Sequence, residues 1–255
     1  MALVKTNGLI LKYVNLNDND RIFTIFSPEL GKISAMSKGI RSHKHKDFAA
    51  LQMFCCSDLV LDDSKGLYYI NSASIKANFF ELRNSVEKTS LATYFTDLVS
   101  FISDEIIFDS DFYSFILNTL HLTSTAEKRV GDDATAELLR LKTIFETKCV
   151  CVSGYMPRIS SCVLCKSQKE LKYFDTVSGC AVCKNCFDRY SSPEVLETTE
   201  YALKIIEYIT MADFKSVFSF KASQENIAAA NVLSERYLIN KLEYVSPMLD
   251  YLKSL

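Results

Sequence analysis

The chain has 255 residues, of which 48% are hydrophobic and 24% are charged. These values are close to the averages of soluble globular proteins, so neither a disordered nor a membrane class is indicated. The formal charge is −2, but residues 1–50 contain eight Lys or Arg against four Asp or Glu, a net +4 that leaves −6 for the remainder. This asymmetry predicts a localised anion-binding face near the N-terminus.

Targeting segments are not evident in the sequence. No uninterrupted apolar run approaches the roughly 18 residues that span a bilayer, and residues 1–20 lack the apolar core of a signal peptide. We therefore expect a cytoplasmic protein without a membrane partner.

Residues 1 to about 74 contain short, extended apolar runs with turn residues between them. An Asn/Asp cluster at 15–19, Pro28 followed by Gly31, and a polar stretch over 62–66 separate several of the runs. Five strands at this turn density predict a small antiparallel barrel or sandwich, and a five-stranded barrel of the oligonucleotide-binding (OB) type is one option. The predicted strands are Gly8–Val14, Arg21–Ser27, Lys32–Ser37, Cys55–Asp62 and Leu67–Ser74.

The densest positive charge lies between the third and fourth predicted strands. The segment 37–46, SKGIRSHKHK, holds four cations and two histidines beside a glycine. Lys and Arg clusters contact phosphates, and counterion release supplies much of the affinity that is independent of base sequence. A solvated charged loop is an equally good interpretation of the composition, so both stay open. We hypothesise that six cations gather on one face of the barrel and its loops: Arg21, Lys32, Lys38, Arg41, Lys44 and Lys46.

Three aromatic residues of the same region, Tyr13, Phe23 and Phe26, have two possible roles. Aromatic side chains of such barrels stack on bases in many nucleic-acid-binding proteins. Core packing is the preferred interpretation, because Phe23 and Phe26 fall in strand-like runs where at least one must face inward.

Beyond about residue 80 the apolar spacing changes from two residues to three or four, which is the spacing of helices. Helical patterns cover 91–102, 112–120 and 133–149, and new ones start near 201 and 227. The change in period predicts two domains, 1–80 and 81–255, of which the second is helical.

The helical region is interrupted by a cysteine cluster. Two C-x2-C pairs stand seventeen residues apart, and a strand entering a glycine turn is predicted between them, over 172–179. Four thiolates at this spacing predict a closed tetrahedral zinc site, which is structural because it leaves no open position for a substrate. The predicted ligands are Cys162, Cys165, Cys183 and Cys186.

Cys180 complicates this assignment, because Cys180 and Cys183 also form a C-x2-C pair. We prefer Cys183 and Cys186 as the second pair and treat Cys180 as a spare or exchangeable ligand. A thiol-redox enzyme that uses these cysteines remains an alternative. No phosphate-binding P-loop, HExxH, GxSxG or GxGxxG motif is present, and there are only three histidines, so we predict that the chain is not an enzyme.

Several segments resemble the recombination mediator family RecO. The resemblance extends over nearly the whole chain and is clearest before residue 60 and across 140–190. A single glycine, Gly179, stands where the family commonly has a pair before the second cysteine pair. The matching segments are 8–12, 19–22, 24–27, 30–32, 37–41, 48–54, 91–95 and 154–157.

The resemblance implies an N-terminal OB-fold barrel over 1–80, followed by an α-helical domain over 81–255 with an inserted four-cysteine zinc module at about 155–190. It also implies binding of single- and double-stranded DNA, annealing of complementary strands without ATP, and nucleoid association. Its implied partners are RecR, the acidic C-terminal tail of single-strand-binding protein (SSB) and, indirectly, the recombinase RecA. An alternative is an adaptor that recruits RecR and SSB and binds DNA only incidentally.

Overall fold

A computed structural model describes residues 3–64, 67–103, 110–126 and 134–254. The chain divides into two compact units: Met1–Ser124 with Met248–Leu255, and Thr125–Pro247. Among the described residues, no helix combines the length and the apolar character needed to cross a membrane.

The first unit contains a closed five-stranded barrel with the strand order β1-β2-β3-β5-β4. The long β1 closes it, because residues Leu3–Leu9 pair with β4 whereas Leu9–Asn15 pair with β2. β3 and β5 are parallel neighbours and all other pairs are antiparallel, which is the arrangement of an OB-fold. The strands are β1 Leu3–Asn15, β2 Arg21–Ser27, β3 Gly31–Ser37, β4 Cys56–Ser64 and β5 Leu67–Ala77.

The connection between β3 and β4, residues 38–55, is folded into the barrel. Ile40, Leu51 and Cys55 are buried in the same apolar cluster as Phe23 and Ile25 of β2. Their removal from water stabilises the barrel and holds the basic segment on its surface at the same time.

Two helices follow the barrel in the first unit. A short 3-10 helix, Phe80–Asn84, leads to α1, Val86–Ile102, whose N-cap Ser85 accepts a hydrogen bond from the Lys88 N–H. The second helix, α2, spans Ser110–Ser124. A short last helix, α6, covers Pro247–Ser254.

The second unit joins three helices to a small sheet of order β6-β8-β7-β9. The helices are α3 Ala134–Val152, α4 Glu200–Met211 and α5 Gln224–Leu242, and 3-10 turns cover Lys184–Arg189 and Ser216–Ser219. The strands are β6 Arg158–Cys162, β7 Leu171–Asp175, β8 Cys180–Cys183 and β9 Val195–Glu197.

α3 and α5 enclose a charged network. The Lys142 ammonium lies 2.8 Å from a carboxylate oxygen of Glu146 and 2.8 Å from one of Glu235. Asn231 and Ser234 of α5 donate further hydrogen bonds to Glu146. Burial disfavours the charge of Lys142, but the two carboxylates outweigh it and raise the pKa of this group.

The predicted five strands and the later helices are confirmed, with ends that differ by a few residues. The predicted turn over 62–66 and the predicted helix start at Asp133 each include positions outside the described residues. The predicted boundary between 80 and 81 stays a prediction. In the structure α1 and α2 group with the barrel, where the ring centroids of Phe112 and Phe26 lie 6.5 Å apart.

Candidate functional site

Five of the six predicted phosphate-contacting cations lie at one end of the barrel, which we call the basic end. β1 and β3 finish there and β2 starts there, since Asn15 pairs with Arg21 and Arg21 with Ser37. The last residues of β4 and the first residues of β5 complete this end, because Tyr69 pairs with both Met36 and Asp62.

Arg21 and Lys38 stand beside aromatic rings at the basic end. The Arg21 guanidinium lies 4.1 Å from the ring centroid of Tyr13 and donates to Asn15 Oδ1. The ammonium of the exposed Lys38 lies 5.8 Å from the ring centroid of Tyr69. These contacts are cation–π interactions, which orient a cation without removing it from solvent.

Arg41 ties the basic segment to the turn between β1 and β2. Its backbone N–H donates to Asn19 O, and its Nη1 donates to Asn17 O at 2.6 Å. Lys44 and Lys46 follow on the exposed surface, and Lys46 Nζ lies 3.5 Å from Asn71 O of β5.

Lys32 is not with the other five cations. It stands at the start of β3, six residues before Lys38, so the strand carries it to the opposite end of the barrel. There Lys32 Nζ donates to the Ser100 carbonyl of α1 at 2.8 Å.

Acidic residues also lie at the basic end, and two of them are engaged with backbone amides. Asp20 accepts from the Asn17 side chain and from Gly39 N, and these bonds lower the pKa of its carboxyl. The buried Asp47 accepts from Ala73 N. Asp18 and Asp63 are exposed, so the surplus of accessible positive charge is small.

The aromatic residues near the predicted cations are divided between core and surface. Phe23 and Phe26 are buried in the interior of the first unit, as the preferred interpretation predicted. Tyr13 and Tyr69 are partly exposed and flank the cations.

A cavity of about 440 Å³ opens at the basic end, between the end of β3, the first half of β5 and residues 45–47. Lys38, Lys46, Tyr69 and Asp62 contribute to its lining. Sequence reasoning missed Tyr69 and Asp62. Strand alternation was a signal for Asp62 alone, because its neighbour Leu61 faces the barrel core. The position of Tyr69 beside Asp62 follows only from the register of β4 and β5.

The four predicted metal ligands converge in the second unit. The sulfur atoms of Cys162, Cys165, Cys183 and Cys186 all lie within 4.8 Å of one another. Cys165 Sγ and Cys183 Sγ are 3.7 Å apart, and a tetrahedral zinc ion with Zn–S bonds of about 2.3 Å requires an S–S edge of about 3.8 Å. The cluster can therefore hold a metal ion.

Tight turns produce this convergence. Cys162 ends β6 and Cys183 ends β8, so each pair consists of a strand end and the turn that follows it. Lys166, with φ +63°, closes the first turn by donating its N–H to Cys162 O. Cys186 lies in the 3-10 turn after β8, and Arg189 Nη2 donates to its sulfur at 3.5 Å.

Cys180 lies outside the sulfur cluster for a geometric reason. It starts β8 and Cys183 ends the same strand, and residues three apart on a strand point to opposite faces. The Cys180 sulfur is instead 3.3 Å from the Tyr190 hydroxyl, which donates to Asp175. Burial raises the pKa of the Cys180 thiol.

The sulfur cluster contains groups of unequal acidity. Burial raises the pKa of Cys162, but hydrogen bonds from the backbone amides of Cys165, Cys183 and Leu164 lower it to about 6 overall. Burial and hydrogen bonds with the neighbouring thiols raise the pKa of Cys186 to about 12. One thiolate is thus easily formed, whereas four in contact require a positive charge to balance them.

Gly179 positions the second cysteine pair. It closes the turn between β7 and β8 with φ +68°, so the predicted strand and glycine turn are confirmed. A Cβ at this position would collide with the Tyr237 ring of α5. Asn240, one turn further along α5, donates to Thr176 and Glu194, so the sheet is held directly on the helix.

Comparisons with known proteins match two family models to the chain. A family model described as "Recombination protein O N terminal" matches residues 1–79, and one described as "Recombination protein O C terminal" matches 83–246. A curated DNA repair protein RecO of Acetivibrio thermocellus is 31% identical, with 100% of this chain and 98% of the relative covered.

Two further relatives carry the same name. The protein of Caldicellulosiruptor saccharolyticus is 30% identical, with 99% of each chain covered, and that of a Thermoanaerobacter species is 26% identical, with 100% of this chain and 99% of the relative covered. Since family models and full-length relatives agree, the chain belongs to the RecO family of DNA repair proteins.

Proposed function

We propose that this chain binds single- and double-stranded DNA through the basic end of its barrel and anneals complementary strands without ATP. With RecR, it would assist recombinase loading on SSB-coated DNA. The observation that carries the proposal is the meeting of Arg21, Lys38, Arg41, Lys44 and Lys46 at one barrel end.

The contacts of these cations suit phosphate binding without base reading. Lys38, Lys44 and Lys46 are exposed, and the backbone of the basic segment is held by Ile40, Leu51 and Arg41. Annealing then follows from charge neutralisation: two strands with reduced mutual repulsion meet while their base edges remain free to pair. Because its ammonium is hydrogen-bonded at the opposite barrel end, Lys32 is left out of the proposed surface.

In the second unit we propose Zn²⁺ as the ion of the four-cysteine cluster, held by Cys162, Cys165, Cys183 and Cys186. Four sulfur donors and the 3.7 Å edge favour zinc over the oxygen-preferring cations. A site closed by four protein ligands has a structural role, since it holds β6 and β8 together.

The decisive experiment is annealing of complementary fluorescent oligonucleotides, without ATP, over a salt series. We compare the unsubstituted protein with the double variant Arg41→Glu/Lys44→Glu and with the control Lys215→Glu/Lys221→Glu, two exposed lysines between α4 and α5 of the second unit. If about five phosphates are contacted, single-strand affinity falls roughly 100-fold between 50 and 200 mM salt.

The proposal expects annealing that the barrel variant loses and the control retains, with the circular dichroism of both unchanged. If the barrel variant anneals like the unsubstituted protein, the basic segment is a solvated surface. The adaptor that recruits RecR and SSB then becomes the better description. An affinity that does not respond to salt contradicts the proposal directly.

A further inference from the structure

The cavity at the basic end carries charges of both signs. Lys38 and Lys46 line it as exposed cations, and Asp62 lines it as an acid. His45 and Asp47 also line it, but Asp47 Oδ1 already accepts a hydrogen bond from Ala73 N. Asp62 Oδ1 is buried without a hydrogen-bond partner among the described residues. Oδ1 has no accessible surface in this rotamer, so a ligand donor can reach it only after the side chain turns toward the cavity. That rotation breaks no hydrogen bond of Oδ1, and a donor in the cavity would satisfy this oxygen.

Tyr69 adds an aromatic surface to the same cavity. It pairs with Asp62 across β4 and β5, so the two side chains leave the same face of the sheet as neighbours. The Lys38 ammonium lies 5.8 Å from the Tyr69 ring centroid, and its flexible stem can reach an anionic group attached to whatever stacks on the ring.

These features together exclude the simplest ligands. A free phosphate would satisfy the two lysines but leave Asp62 without a donor, and a metal cation would meet two ammonium groups. A nucleotide fits all of them, because it joins an anion, a flat π surface and a hydrogen-bonding edge. The volume of about 440 Å³ is within the range of small-ligand pockets.

We propose that this cavity receives one unstacked nucleotide of a bound single strand, with its base on Tyr69 and the N–H donors of that base directed at Asp62. The inference rests on the proposed DNA binding, in which the cations contact phosphates only, and adds one base contact that withholds a single base edge from pairing. Guanine is favoured, because its ring N–H and amino group present two adjacent donors to a carboxylate. Thymine is disfavoured, since its one N–H is flanked by two carbonyl oxygens that repel Asp62.

The site differs from the surface by which OB barrels usually hold nucleic acid. That surface centres on strands β2 and β3 with the loops after β1 and β4. Here the cavity lies over the parallel β3–β5 contact and is bordered by residues 45–47 of the basic segment.

The test measures fluorescence anisotropy with dT12 and with the same oligonucleotide carrying one central guanine, cytosine, adenine or hypoxanthine. We expect guanine to bind at least about fivefold more tightly than thymine, the low end of discrimination by a good side-chain-to-base contact. Hypoxanthine lacks only the amino group of guanine and should lose most of this advantage. This arm uses the unsubstituted protein and therefore does not depend on the folding of a variant.

Asp62→Asn is the matching variant, and Asp63→Asn is its control, because it removes the same charge from the adjacent residue of β4. We expect Asp62→Asn to bring all five oligonucleotides within about twofold of one another while dT12 binds as well as before or better. Asp63→Asn should keep the guanine preference.

The outcomes separate the two proposals. Binding of all oligonucleotides with equal affinity overturns the nucleotide pocket and leaves DNA binding by the barrel intact. Failure of every oligonucleotide to bind, at any salt concentration, overturns both. A guanine preference that survives Asp62→Asn also overturns the assigned role of Asp62.

Discussion

The barrel and the cysteine-bearing sheet are both made of short strands, but their interiors differ. The barrel closes around an apolar cluster that includes Ile10, Phe23, Ile25 and Leu61. The sheet has four sulfur atoms in contact, together with the buried polar residues Asp175 and Thr176. A segment of about forty residues cannot bury enough apolar surface to be stable alone, and metals commonly compensate for this. Removal of one apolar side chain should lower the stability of the barrel without unfolding it. Removal of one cysteine of the cluster should loosen the fold of the whole sheet, because the metal is then lost.

The largest effect is expected from Cys165→Ser. Cys165 is the exposed member of the cluster, so the substitution removes a ligand with little loss of packing. Metal affinity should fall by more than the roughly 10–100-fold that loss of an outer-shell partner costs. Metal content per chain and near-ultraviolet circular dichroism measure the result.

Cys180→Ser is the control for that variant, because its sulfur contacts Tyr190 rather than the cluster. It should retain a full equivalent of metal. If Cys180→Ser loses metal and Cys165→Ser does not, the ligand assignment is wrong.

The second effect tests the buried network of α3 and α5. Lys142→Met leaves Glu146 and Glu235 without their shared cation and should reduce the free energy of unfolding by about 3–5 kcal/mol. The exposed pair Glu200–Lys204 has the same four-residue spacing and a 2.7 Å contact. Lys204→Met should cost far less, because the pair is solvated. If urea denaturation gives the same loss of unfolding free energy for Lys142→Met and Lys204→Met, burial does not determine the contribution of the Lys142 network to stability.

The third effect compares two glycines with nearly equal backbone angles. Gly31 has φ +66° and open space around the position that a Cβ would occupy, whereas Gly179 has φ +68° and a Cβ there would meet Tyr237. Gly31→Ala should cost about 1–2 kcal/mol from the backbone alone. Gly179→Ala should cost more, since Tyr237 must also move. If thermal unfolding shows the same loss of stability for both variants, the contact with Tyr237 does not add to the cost of the substitution.

The smallest effect concerns single cations of the barrel. Lys38→Met should make the slope of log affinity against log salt less negative by about 0.7 and weaken DNA binding a few-fold. Lys32→Met removes the hydrogen bond to Ser100 and should lower stability by roughly 1 kcal/mol without changing the slope. If Lys32→Met also changes the slope of log affinity against log salt, Lys32 contacts DNA and belongs to the DNA-binding surface.

Much of the barrel was predictable because its strands are bounded by turn residues and alternate in polarity. The predicted Arg21–Ser27 strand has the same limits in the structure. The first strand was predicted from Gly8, but it starts at Leu3. Its first half pairs with β4, which is distant in the sequence. Local sequence patterns do not predict pairing between distant segments, so this part of the strand was missed.

The candidate sites were predictable to different degrees. Spacing was sufficient to group four cysteines, because each pair is closed by a local turn. The position of Lys32 was not predictable from composition. Its distance from Lys38 depends on the direction of β3, and its hydrogen bond depends on a helix nearly seventy residues away in the sequence. The outward-facing pair of Asp62 and Tyr69 likewise required the register of β4 and β5.

The burial of Ile40 and Leu51 has a consequence for proteolysis. Trypsin cleaves after Lys and Arg in extended, accessible chain, and residues 38–46 offer four such positions. To enter a protease active site, this segment must detach from the barrel and draw those two side chains out of the apolar cluster. Cleavage there therefore requires the barrel core to open first, and its rate reports that opening rather than the accessibility of a surface loop.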